Sequence, residues 1–192
     1  MTAARPDVLD FLLTRRSRPS KTLTTPVPSS EELGPLLAAA ARTPDHGALE
    51  PFRFLVLEKP ALARIAGLIG ETGTRMGKLP EEIAKQKMVY ETGNFAVAVI
   101  FTPKESPKIP EIEQLYTAGA VCLSLLNAAL ATGWGANWLS GWASHDAEFR
   151  KAAFGLAENE LVAGIVHIGT ETVAPPDRPR PDVNALTTWV SA

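Results

Sequence analysis

Val8, Phe11 and Leu12 fall at i, i+3 and i+4 after Asp7, a spacing that predicts a first helix capped by Asp7 and ending near Arg15-Arg16. Ser29 and Glu32 have capping-box spacing ahead of Leu33, Leu36, Leu37 and Ala40, so a second helix is expected to run to about Arg42. Pro35 conflicts with a regular early turn and predicts a kink or a later start. Residues 52–58 (FRFLVLE), aromatic and β-branched after Pro51, read as a strand. Pro60 suits the first turn of a third helix carrying Leu62, Ile65 and Leu68. Residues 71–94 are polar, hold three glycines and give only a weak helical signal over 81–90, which predicts a mobile surface element.

Residues 95–101 (FAVAVIF) are apolar without alternation, the pattern of a strand covered on both faces. Residues 115–131 are apolar or small nearly all round, and a helix with no polar face must be enclosed on every side, here with a partner subunit as the source of that enclosure. Gly133-Trp134-Gly135 breaks this helix, and 136–139 form a short strand before Ser140-Gly141. Ser144 or Asp146 starts a further helix that Gly155 stops, and 161–168 (LVAGIVHI) is a third main strand. The four prolines of 174–182 favour an extended path, after which the apolar 186–190 are expected to dock on a surface. The order of elements lacks regular βαβ repeats and predicts an α+β sandwich rather than a doubly wound sheet.

A chain of 192 residues and 20.6 kDa fits one domain, 1–192, with 45% hydrophobic residues to build a core. The net charge of −2 gives no general attraction to polyanions, so neither a nucleic-acid nor a membrane-surface role is expected. Cys122 is the only cysteine, which excludes an intrachain disulfide and a cysteine metal cage and makes a reducing compartment the default. The first eleven residues hold Arg5, Asp7 and Asp10 and do not read as a signal peptide, so a cytoplasmic location is expected. The apolar stretch 115–131 is shorter than the ~20 residues that span a bilayer.

Arg15, Arg16, Ser17 and Arg18, with Lys21, follow the first helix directly and can present several donors to one phosphate. Cations there also complement the helix dipole, and local sequence leaves both readings open. Arg42 and His46 lie on a tight Pro-Gly turn from which a cation and an imidazole can face a ligand. Trp138, Leu139, Ser140 and Trp142 put large rings and a hydroxyl just past a strand end, where ligands bind, with core packing the simpler role for Trp142. Rossmann, hydrolase-elbow, zinc-protease and P-loop motifs are missing, and the three histidines are too dispersed for a metal site. His167 lies inside a strand and reads as a core residue.

Taken in order, RRSRPSK at 15–21, ARTPDHGALEPFRFLVLE at 41–58, YTAGAVCLSLLNAALATGWGANWLSG at 116–141 and AFGLAENELVAGIVHIGT at 153–170 resemble the compact single-domain branch of the nitroreductase family. The resemblance implies a sandwich with a central mixed, mainly antiparallel sheet flanked by helices, and a homodimer with FMN sites at the subunit interface. It implies that Arg15, Arg16 and Ser17 hold the FMN phosphate and ribityl chain, that Arg42 and His46 approach from the other subunit, and that Trp138, Leu139 and Ser140 line the flavin. Arg178 or Arg180 would add a phosphate contact. Relatives carry a basic residue where this chain has Leu139, which points to a backbone-only contact there. The activity implied is ping-pong electron transfer from NADH or NADPH through FMN to a small nitroaromatic or quinone-like acceptor, with no obligatory side-chain acid or nucleophile. A flavin carrier or sensor with little turnover, and a helical dimerisation module with solvated arginines, are the competing classes.

Overall fold

The computed structural model describes residues 3–191. Its helices are α1 (Pro6–Thr14), α2 (Ser30–Ala40), α3 (Lys59–Arg75), α4 (Pro80–Thr92), α5 (Glu111–Ala131) and α6 (Ala147–Phe154). Its strands are β1 (Leu23–Thr24), β2 (Phe52–Glu58), β3 (Phe95–Phe101), β4 (Gly135–Leu139) and β5 (Leu161–Glu171). The α+β class read from the sequence is the observed one. The strands run β2, β3, β5 across the sheet, with β1 and β4 both paired to β5, and every pairing among the described residues is antiparallel.

β3 shows why its sequence lacks alternation. Ala96, Ala98 and Ile100 enter a core with Leu62, Ile65 and Ile69 of α3 and Phe149 of α6, while Phe95, Val97 and Val99 enter a second core with Leu33 and Leu36 of α2 and Val121 and Leu125 of α5. Each face of the strand is covered, so both residue parities are apolar.

Local signals place most boundaries. Ser29 accepts from Glu32 N, whose carboxylate accepts from Ser29 N at 2.9 Å, completing the capping box of α2. The helix starts there and continues through Pro35, so the expected later start does not occur; Pro35 simply forgoes one backbone bond. Asp146 caps α6 by accepting from Phe149 N at 2.8 Å, and Gly155 at φ 66° ends it.

Four expectations are corrected. Asp7 does not cap α1; it lies in the first turn, paired with Arg5 at 2.8 Å. The stretch 71–94, expected to be a mobile surface element with a weak helical signal, holds the end of α3 and all of α4, packed so closely that a Cβ at Gly73 would overlap Ile83. α4 meets the core through few residues, Tyr90 and Ile83 among them, so its apolar signal is weak. Helix α5 has 21 residues, long and apolar enough by length and composition to cross a membrane, because Glu111 and Glu113 extend it beyond the apolar run. It is the core helix between α2 and the sheet, with one face buried and Ile112, Tyr116 and Leu123 exposed. The apolar segment 186–190 does not dock within the chain, as Leu186, Trp189 and Val190 are all exposed.

Candidate functional site

The arginine segment begins where α1 ends, at Arg15. Arg15 Nη2 donates to Ser17 Oγ at 3.0 Å, its Nε is buried without a partner, and no carboxylate pairs with it among the described residues. Burial first, then the neighbouring charges of Arg180 and Arg16, hold its guanidinium below its ordinary pKa. Arg16 Nε donates to Pro176 O at 3.3 Å and faces Asp177 at 3.9 Å, which in turn binds Arg180 at 2.7 Å. The tail therefore returns to the arginines. Arg18 pairs with Glu171, and its backbone N–H donates to Ala136 O at 2.8 Å, which lays the segment beside the start of β4. Arg15, Arg16 and Arg18 with Thr14, Trp134 and Glu171 line a polar hollow of about 310 Å³.

At the other end of β4 a cavity of about 320 Å³ opens between Leu139, Ser140, Gly141 and Trp142, the α4 residues Lys85, Gln86 and Tyr90, and His167 of β5. Strand alternation decides which predicted residues reach it. Leu139 pairs with Ile165, and the cavity takes both, whereas Trp138 pairs with Val166 on the opposite face and lays its indole against Gly164. Trp138 is thus separated from Leu139 and Ser140. Trp142, expected only to pack, also lines the cavity. Gly141 is at φ 77° with the Gln86 amide against it, so a side chain here is excluded by backbone and neighbour together.

Arg42 and His46 line neither space. His46 starts a turn in which Gly47, Ala48 and Glu50 have φ of 73°, 49° and 50° on either side of a right-handed Leu49, a conformation that costs non-glycine residues about 1–2 kcal/mol each. Two contacts hold it: Asp45 Oδ2 accepts from Glu50 N at 2.7 Å, and His46 Nδ1 meets Glu113 Oε2 of α5 at 2.7 Å. The His46 side chain is 65% exposed.

Sequence reasoning missed Lys85, Gln86 and Tyr90, which lie in the weakly helical stretch read as a mobile surface element; His167, read as a core residue, is buried and also borders the cavity. A signal was present: Glu82, Lys85, Gln86 and Val89 recur at i, i+3, i+4 and i+7 and share one helix face, which is the face turned to the cavity.

The polar hollow and the cavity are joined by one short strand, and the sequence model of the nitroreductase family matches residues 12–170. The chain belongs to the nitroreductase family. Family membership is supported by 30% identity over 164 residues, 85% of this chain and 88% of the other, with the Escherichia coli K12 protein named "Putative NAD(P)H nitroreductase YdjA". The fold is that of a nitroreductase-like family protein from Bacillus cereus, with a TM-score of 0.78 at 21% identity over 100% of both chains. It is also that of a nitroreductase with bound FMN from Bacteroides fragilis, with a TM-score of 0.75 at 18% identity over 96% of this chain and 99% of that one.

Proposed function

We propose that this chain is an NAD(P)H-dependent FMN oxidoreductase that works as a homodimer in a reducing cytoplasm, passing electrons to a small nitroaromatic or quinone-like acceptor. The observation that carries the reading is the pair of sites at the two ends of β4. From Ala136, beside Arg18, to Leu139 at the cavity is three residues, about 10 Å at the rise of a strand, a span suited to a phosphate joined by a short chain to a planar ring.

The residues fit the group. Arg15 has a free, partly desolvated guanidinium for a phosphate, held in place by Ser17, and Arg16 is anchored next to it by Pro176. Arg180, within reach of Arg15 electrostatically, is the tail residue suited to join them. Leu139, Ser140, Gly141 and Trp142 offer apolar walls and backbone donors for a ring, and Lys85 supplies a positive charge at its border. Trp138 belongs to this set only from the other face of the strand. When bound, FMN supplies the exchange of a hydride or of single electrons. The chain's own part is placement, exclusion of water and charge at the cavity border. In this reading donor and acceptor use the one site in turn, a ping-pong scheme.

Dimerisation is supported by unburied apolar surface. Val8, Leu9, Leu12 and Leu13 of α1, Ile112, Tyr116 and Leu123 of α5, and the tail residues Leu186 and Trp189 are exposed. A second copy covering α1 and α5 would bring its Arg42 and His46 to the site, which gives a role to a strained turn braced against Glu113 of α5. The single Cys122 is buried and free, as suits a reducing compartment.

The experiment is purification followed by anaerobic mixing with NADH and with NADPH, read at the flavin absorbance band. Bound FMN that bleaches with one nicotinamide and recovers on adding a quinone supports the reading. Flavin that stays oxidised points instead to a carrier, and a protein that takes up no FMN excludes both.

A further inference from the structure

The segment that enters the His46 turn is built against one face of α5. Glu113, Thr117 and Ser124 recur on that helix at i, i+4 and i+11, and each makes a polar contact with the segment. Thr43 Oγ1 donates to Ala40 O at 2.9 Å and so accepts from Ser124 Oγ, also at 2.9 Å. Thr117 Oγ1 donates to Pro44 O at 3.3 Å, and His46 Nδ1 meets Glu113 Oε2 at 2.7 Å. Gly47 lies so close to Ile109 that a Cβ would overlap it, and Gln114 holds the chain before Ile109 by accepting from Lys104 N at 2.8 Å and donating to Lys104 O at 3.0 Å. Thr43 and Thr117 are buried, whereas the side chains of His46 and Glu113 are exposed. The buried hydroxyls and Ile109 thus fix the backbone, and an exposed pair such as His46 with Glu113 adds little to stability.

What that pair does fix is the ring. A carboxylate only accepts hydrogen bonds, so the 2.7 Å contact puts a proton on His46 Nδ1. Asp45, the neighbouring acid, accepts from Glu50 N at 2.7 Å, which leaves Glu113 as the carboxylate that selects the tautomer. In a neutral ring with Nδ1 protonated, Nε2 is an acceptor, and the partner of one nitrogen therefore decides what the other can bind. Ile112 and Tyr116, close to Glu113 along α5, are exposed and belong to the surface that a second copy would cover. The ring stands beside that surface.

We propose that Glu113 is a positioning residue of the cofactor site, which holds the proton on His46 Nδ1 so that Nε2 is offered as a hydrogen-bond acceptor to an N–H or O–H of the FMN bound by the other subunit. This rests on the homodimeric flavoenzyme reading and adds Glu113 to its machinery. Two parts of FMN carry such a donor, the ring N–H and the ribityl hydroxyls.

The test is a double-mutant cycle on FMN affinity in the full-length protein, stripped of flavin and titrated again, with the tautomer read by nitrogen NMR of histidine-labelled protein in mildly alkaline buffer. The His46 ring signals are assigned by their loss in His46→Ala. They should show a proton on Nδ1 in the unaltered protein and move to the Nε2-protonated form in Glu113→Leu. Glu113→Leu should bind FMN about tenfold more weakly. Glu113→Gln, whose amide oxygen still accepts from Nδ1, should keep the tautomer and most of the affinity. In the His46→Ala background, Glu113→Leu should have no further effect, because it acts through the ring. Lumiflavin, which keeps the ring N–H and lacks the ribityl hydroxyls, identifies the donor: the same loss with lumiflavin places it on the ring, and a loss confined to FMN places it on the ribityl chain. An unchanged tautomer in Glu113→Leu, full FMN affinity in that variant, or an equal loss in the His46→Ala background overturns the proposal. A protein that takes up no FMN is a distinct result, which removes the flavoenzyme reading and this proposal with it.

Discussion

Arg16 and Arg15 differ in what already holds them. Arg16 is tied to the tail through Pro176 and Asp177, whereas Arg15 has only Ser17. Replacing Arg16 by Ala should weaken FMN retention by about 1.5–3 kcal/mol, the worth of a charge-assisted hydrogen bond. Equilibrium dialysis of the Arg15, Arg16 double alanine variant checks the assignment, since an unchanged affinity would place the phosphate elsewhere. His167 yields a prediction of a different kind. Its pKa falls from 6.5 to about 4 by burial, so the unfolded chain binds a proton that the folded one refuses. The stability is fully present above the unfolded value and is lost as pH falls from 6.5 through about 4, amounting to roughly 3 kcal/mol. Urea titrations across that window should show the loss in the unaltered protein and a flatter dependence in His167→Gln.

At the level of elements, the turn leaving β4 and the start of α6 form one support for the cavity. Ser144 Oγ donates to Ser140 O at 2.6 Å, and Asp146 both caps α6 and receives two bonds from Arg75 at 2.6 and 3.1 Å. Asp146→Ala should cost about 1–2 kcal/mol, as loss of a cap does, measurable by chemical denaturation. Gly141→Ala acts on the same support through the backbone. A side chain at φ 77° costs about 1–2 kcal/mol and displaces Gln86 from the cavity. Stability and ring binding should therefore fall together in Gly141→Ala, while in Asp146→Ala the stability loss should dominate.

For the whole molecule, the unburied residues of α1, α5 and the tail predict a particle of about 41 kDa in solution, twice the 20.6 kDa chain. Leu13 is 70% exposed in the single chain, so Leu13→Glu should leave the fold intact by circular dichroism and shift sedimentation toward the monomer. FMN affinity should drop with it if Arg42 and His46 come from the partner. Retention of FMN by that monomer would show instead that one chain is sufficient.

Much of this was present in the order of residues. The capping box of Ser29 and Glu32, the strand β2 at its observed ends and the doubly covered β3 are local or periodic signals, and each follows from the chemistry of a few neighbouring positions. The arginines after α1 were visible for the same reason, as a run of cations at one place. What the sequence could not supply was facing. Whether Trp138 or Leu139 meets the cavity depends on the register of β4 against β5, and whether Lys85 and Gln86 share that space depends on how closely α4 approaches α3 at Gly73. Residue types and their spacing determined the elements and the candidate chemistry; only the packing of distant segments decided which side chains share a space, because that is a property of register and approach between chain segments and not of any one of them.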